Sequence, residues 1–171
     1  MRRHFKILKS FKVVVIIALV AVMSAIILNS DTQARRATDN LDKYNCWSVE
    51  ASSSSENGDA ALAADNDFTT RWDSDHDEKE SWLMFDFGLA REINIIVIAW
   101  ETAVAQRYKI QVSQDGERWS TAYANNQGEP GFHIVKFATH LRARYIRLYC
   151  MNKVNDDWGY SVYEFAVFGE K

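Results

Sequence analysis

Proline occurs once in the 171 residues, cysteine twice and glycine seven times. Seven scattered glycines leave little material for a glycine-rich phosphate loop. The nucleophile and metalloprotease signatures are missing as well: there is no G-x-S-x-G, no H-E-x-x-H and no C-x-x-C. A basic excess is also lacking. From residue 35 onward, 15 Lys and Arg stand against 22 Asp and Glu, a net charge of −7. Nucleic acid and anionic lipid both call for a basic face, so neither suits this chain as a partner.

Hydrophobic side chains make up 47% of the sequence and aromatic ones 13%, with six Trp, seven Tyr and nine Phe. That is enough apolar surface for a packed core. So many aromatics beside a single proline favour many short strands over a helical bundle.

The N-terminus is a different kind of sequence. Residues 2–12, RRHFKILKSFK, carry five Lys and Arg and no acid. They run into VVVIIALVAVMSAIIL (13–28), a 16-residue stretch in which Ser24 alone is polar. Charge followed by an apolar run is the order of an export signal. Residues 1–30 read as a signal peptide or a signal anchor. In the first case cleavage falls after Ala34, at the small-x-small site Thr32-Gln33-Ala34. In the second, which is preferred, a transmembrane helix over about 13–28 is retained, although a span needs about 17–25 residues. The basic end then stays inside and the rest faces out. Both readings put the following residues outside the cytoplasm, membrane-anchored or secreted. Residues 31–43 are polar and aperiodic, as a linker should be, and the domain follows over 44–171. In an oxidising compartment Cys46 and Cys150 could form a disulfide tying its two ends. Two separate buried thiols are the other reading.

Strand signals then come in close succession. They are WSVEA (47–51), SWLMFDFG (81–88), EINIIVIAW (92–100), RYKIQVS (107–113), RWSTAYA (118–124), FHIVKFA (132–138), ARYIRLYC (143–150) and VYEFAVFG (162–169). The stretch 92–100 is almost wholly apolar, as a strand buried on both faces should be. The stretch 107–113 alternates, with Tyr108, Ile110 and Val112 inward and Lys109, Gln111 and Ser113 outward. Asp115-Gly116 is a hairpin turn. Only AALAA (60–64) looks helical, and it is a single turn. Short antiparallel strands at regular spacing predict an all-β fold, an eight-stranded jelly-roll β-sandwich, preceded by the N-terminal hydrophobic helix.

Three stretches could carry chemistry. The loop ADNDFTTRW (64–72) fails as an EF-hand, because position six from Asp65 is Thr70 rather than Gly and position twelve is His76. Asp65, Asp67 and Thr70 could still offer three oxygens to a hard cation such as Ca²⁺, or form an Asx-rich turn with solvated aspartates. The acidic run DSDHDEKE (73–80) has carboxylates that could pair as acid and base. It lacks apolar neighbours to raise one pKa, so a solvated loop is the better reading. Among the aromatics, Trp72 and Trp100 read as core. Trp158, flanked by Asp156, Asp157 and Gly159, reads as exposed, where its face could stack on a sugar ring.

Taken in order, ASSSSEN (51–57), DNDFTTRW (65–72), WLMFDFG (82–88), WETAVAQRYKIQVSQDGERW (100–119), ARYIRLY (143–149) and WGYSVYEFAVFG (158–169) resemble the discoidin, or factor V/VIII type C, domains. They are most similar to the bacterial branch classed as family 32 carbohydrate-binding modules, with the galactose-binding-like fold. The resemblance covers the domain almost end to end and nothing of residues 1–43. It implies the eight-stranded jelly roll. It also implies a structural Ca²⁺ held by the side chains of Asp65, Asp67, Thr70 and Glu164 and the carbonyls of Leu62 and Tyr163. Asn66 replaces the glycine usual between the two acidic positions, and Asn tolerates the left-handed conformation.

The resemblance further implies a glycan bound across loops at one end of the sandwich, by Glu56, Arg71, His76, Glu101, Trp158 and Tyr160. Trp158 would be the stacking platform. Glu56 and Glu101 would take hydroxyls or the ammonium of a glucosamine, and Arg71 would donate a fork of hydrogen bonds. Asp75-His76-Asp77 stands where some relatives have a single acid. The expected function is non-catalytic carbohydrate binding, of a β-glucan or chitosan-type glycan on a polysaccharide or cell surface. The membrane would be engaged only through the N-terminal segment. The alternative is a cell-surface adhesion module with a protein partner.

Overall fold

The computed structural model describes residues 41–170. The residues of the expected N-terminal hydrophobic helix and of the Ala34 cleavage site lie outside that range. Among the described residues, no helix is long and apolar enough to cross a membrane. Asp42–Lys171 forms a compact unit.

Eight strands build it: β1 (Leu41–Lys43), β2 (Ser48–Ala51), β3 (Trp72–Asp73), β4 (Glu80–Trp100), β5 (Ala105–Ser113), β6 (Ser120–Asn125), β7 (Gly131–Lys153) and β8 (Ser161–Glu170). The fold is all-β, with one 3-10 turn at Ala60–Ala63, where the Asp59 carboxylate caps the Ala61 N–H at 2.8 Å. Residues 41–43, expected in the linker, form β1 instead, because Tyr44 N–H continues the pairing to Val167 O at 2.8 Å.

The strand count agrees with expectation, but two pairs of expected strands are continuous. Residues 81–88 and 92–100 run together as β4, and 132–138 and 143–150 run together as β7. The hydrogen-bonded order is β1-β8-β4-β7-β5-β6, with β2 added on β4 and β3 on β8. These two long strands make the sandwich. The first half of β4 pairs with the second half of β7 in a layer with β2, β5 and β6. The second half of β4 pairs with the first half of β7 and with β8 in the other layer. The ladder breaks between Asp86 and Arg91, where β4 passes from one layer to the other. Gly88 takes φ +73 there, a left-handed conformation that glycine adopts without a Cβ penalty. Arg144 binds both Asp86 oxygens, each at 2.9 Å, and closes that end.

The core fills from both layers. Phe85 stacks on Phe165 with ring centroids 4.4 Å apart, and Tyr108 reaches across to His133 Nδ1 at 2.8 Å. Residues 95–100 are buried on both faces, as their unbroken apolar character requires. In β5, Tyr108 and Ile110 are fully buried. Val112 is half-buried, and Ser113, expected outward, is buried. Its hydroxyl accepts the Gly116 N–H at 2.9 Å and so belongs to the hairpin turn. Cys46 and Cys150 are separate free thiols, so the disulfide reading is set aside. Cys150 is fully enclosed on the inner face of β7, and burial pushes its thiol pKa far up.

Candidate functional site

The loop before β3 is shaped by its own side chains. Asp65 Oδ1 accepts the Asp67 N–H at 2.8 Å, and Asp67 Oδ1 accepts the Thr69 N–H at 2.9 Å. Thr70 Oγ1 donates to Asp65 Oδ2 at 2.7 Å. These are Asx turns, which short acidic side chains form with the backbone two residues on. Asn66 sits between them at φ 63. Its N–H donates to Glu164 Oε2 at 2.9 Å, which fastens the loop to β8. The register between β4 and β8 slips at Ala99/Trp100, leaving Tyr163 as the extra residue of a bulge just before Glu164. Glu164 is only 4% exposed, and burial raises its pKa against the opposing effect of Lys43.

The resemblance implies calcium at this place. As arranged, the donors do not fit the ion. Both Asp65 oxygens receive hydrogen bonds from within the loop. Both Glu164 oxygens are engaged as well, Oε2 by Asn66 N–H and Oε1 by Lys43 Nζ at 2.9 Å. Among the described residues no group of three or more His, Cys, Asp or Glu side chains is placed to hold a metal. Leu62 and Tyr163, named for their carbonyls, flank the cluster in sequence at the 3-10 turn and the bulge.

After the loop the chain enters β3, where neighbouring side chains point to opposite faces. Trp72 goes inward, fully buried, and its Nε1–H donates to Ser53 O at 3.1 Å. Arg71 and Asp73 therefore face the other way. They line a hollow of ≈ 170 Å³ together with His76, Glu101, Thr102, Trp158 and Ser161. Glu101 is held by two donors, Thr102 Oγ1 at 2.8 Å and Ala103 N–H at 2.9 Å. Its carboxylate is thereby fixed in direction. His76 Nε2 lies 3.6 Å from Asp73 Oδ2. Trp158 stands at the rim, 41% exposed. Tyr163 is raised in pKa by burial and by Glu101, with Arg71 acting in the opposite sense, so it neighbours both charges.

Four of the six expected ligand residues, Arg71, His76, Glu101 and Trp158, converge on this hollow. Glu56 is exposed in the preceding loop and is not among its lining residues. Tyr160 departs from expectation outright: it is fully buried, and its hydroxyl donates inward to Lys79 O at 2.6 Å. Strand alternation accounts for this, because Tyr160 lies one residue before β8 and points to the core side. The sequence reads Asp73 as part of a solvated acidic run and does not mark Thr102 or Ser161. Asp73 was legible, since the residue after an inward Trp72 must point outward. Ser161 needed the β3–β8 pairing that sets it opposite Asp73, and Thr102 needed the backbone bonds of Glu101 and Ala103 to Ser161.

Residues 48–165 match the F5/8 type C domain family, and the chain belongs to that family. Among solved structures, chitosan-binding module 1 of a chitosanase/glucanase from Paenibacillus sp. IK-5 is 32% identical, with a TM-score of 0.67 over 71% of this chain and 94% of that one. Module 2 of the same protein, solved in complex with chitotriose, is 28% identical with a TM-score of 0.68 over 71% and 95%. The family 32 module of NanJ from C. perfringens, solved with galactose, shares the fold at 17% identity and a TM-score of 0.65 over 77% and 95%. A curated relative, the polysaccharide lyase 8 family protein HylA of Enterococcus faecalis, is 32% identical over 87 residues. That stretch is 50% of this chain and 6% of the relative's length.

Proposed function

We propose that this chain is a non-catalytic carbohydrate-binding module that holds a β-glucan or chitosan-type glycan in the hollow beside Trp158. The observation that carries the reading is the hollow's composition: two carboxylates, Asp73 and Glu101, an arginine and a histidine under a half-exposed indole. The indole face stacks on the C–H face of a sugar ring. Carboxylates accept from its hydroxyls and attract an ammonium, and Arg71 donates. Similarity to two chitosan-binding modules supports a chitosan-type ligand. The reading needs no metal, because the hollow's lining does not include the 65–70 cluster. We further propose that the module lies outside the cytoplasm, anchored by the basic and apolar N-terminus or secreted after cleavage near Ala34.

Shallow sites of this kind bind weakly, and about 1 mM corresponds to about −4 kcal/mol. Calorimetric titration with chitosan oligosaccharides is the test. Saturable binding that Glu101→Gln weakens at least tenfold supports the reading. Equal binding by wild type and variant rejects it.

A protein partner is the second reading, favoured by a separate observation. Trp47 is 83% exposed beside Gly88, and neighbouring Leu89 is 55% exposed. Pull-down from cell envelopes before and after glycan digestion separates the two, since only protein capture survives digestion.

A further inference from the structure

The buried carboxylate of Glu164 needs a positive partner, because an isolated charge out of water is very costly. Lys43 supplies it. Its side chain is 29% exposed and comes from β1, at the opposite end of the sequence, to within 2.9 Å of Glu164 Oε1. The same ammonium also donates to Asn66 Oδ1. Asn66 in turn donates its N–H to Glu164 Oε2 at 2.9 Å. Each of the three residues is thus bonded to the other two. The left-handed conformation of Asn66, φ 63, lets one residue offer its N–H to the carboxylate and its side-chain oxygen to the ammonium.

We infer that the ammonium of Lys43 takes the place of a metal ion in this family member, pinning the 64–70 loop to β8 through Glu164 and Asn66. A divalent ion on Glu164 would sit against that ammonium, and like charges at such a separation repel strongly in a partly desolvated site. A lysine also supplies three donors in fixed number, of which the pair and the amide use two. The loop's position, and with it that of Arg71 at its end, then depends on a residue of the chain rather than on the calcium level outside the cell. The inference is independent of the identity of the glycan.

Thermal unfolding of the purified full chain tests it, with chelator, without additive, and with millimolar calcium. The expected result is the same melting temperature in all three and no metal co-purifying. A rise with calcium, a fall with chelator, or stoichiometric bound metal overturns it. Lys43→Met is expected to lower the melting temperature by about 5–10 °C, the effect of leaving a buried charge unpaired. An unchanged value also overturns it. The double variant Lys43→Met/Glu164→Gln removes both charges and is expected to regain at least half of that loss. A double variant no more stable than the single one overturns the charge-pair account even if Lys43→Met alone folds poorly.

Discussion

Ser74 and Tyr160 hold each other by two bonds: Ser74 N–H donates to Tyr160 O at 2.9 Å, and Tyr160 N–H donates to Ser74 Oγ at 2.8 Å. The contact joins the loop that carries His76 to the loop that carries Trp158. Between them the backbones lie so close that a Cβ on Gly159 would stand 2.4 Å from Ser74 O. Gly159 lines the hollow, so backbone contact sets the spacing of the two loops there.

Ser74→Ala removes the acceptor of a buried N–H, and leaving such a donor unmet costs about 1–3 kcal/mol. We expect a lower melting temperature together with weaker glycan binding, read by thermal unfolding and titration on the same sample. Binding at wild-type strength would show that the two loops keep their positions without this bond.

The two tryptophans at the site have opposite roles. Trp158→Ala should abolish measurable glycan binding while changing stability by no more than about 0.5 kcal/mol, as for an exposed side chain. Trp72→Ala empties a fully buried position and should cost about 3–5 kcal/mol in chemical denaturation.

Tyr160 gives a third contrast. Its hydroxyl serves Lys79 O and not the hollow. Tyr160→Phe should therefore lower stability by about 1 kcal/mol and leave glycan affinity as it was. A tenfold loss of affinity with stability intact would instead put this hydroxyl on the ligand.

The Asp86–Arg144 pair sets an acid limit. The hydrogen bond from Arg144 holds the Asp86 carboxyl below its usual range. A depressed folded-state pKa contributes stability that is present above the unfolded value, about 3.9. That stability is lost as pH falls through the lower folded value. Asp86→Asn should cost about 1–2 kcal/mol at neutral pH, a figure discounted because the Arg144 side chain is 39% exposed. The gap between variant and wild type should close below about pH 4, as read from melting curves across pH.

Much of this was legible along the chain. Alternation over 107–111, the apolar run 92–100, the hairpin at Asp115-Gly116 and the inward Trp72 are local patterns, set by side-chain period and turn chemistry between near neighbours. The family resemblance located Arg71, His76, Glu101 and Trp158, which do converge. The continuity of β4 and β7 was not legible, because a bend within a strand and a turn between strands look alike in sequence. Nor was the inward Tyr160, one residue from a strand whose register is set by its partner.

By itself, then, the sequence determined an all-β domain, its inward and outward faces and the residue types available for a sugar. The tertiary structure decided which of those residues meet. Asp73 reaches the hollow through pairing with Ser161, His76 reaches Trp158 through the Ser74–Tyr160 contact, and Lys43 reaches Glu164 across most of the chain. Such meetings depend on strand register and on burial of charge, which are properties of residues far apart in sequence and are settled only when the layers close.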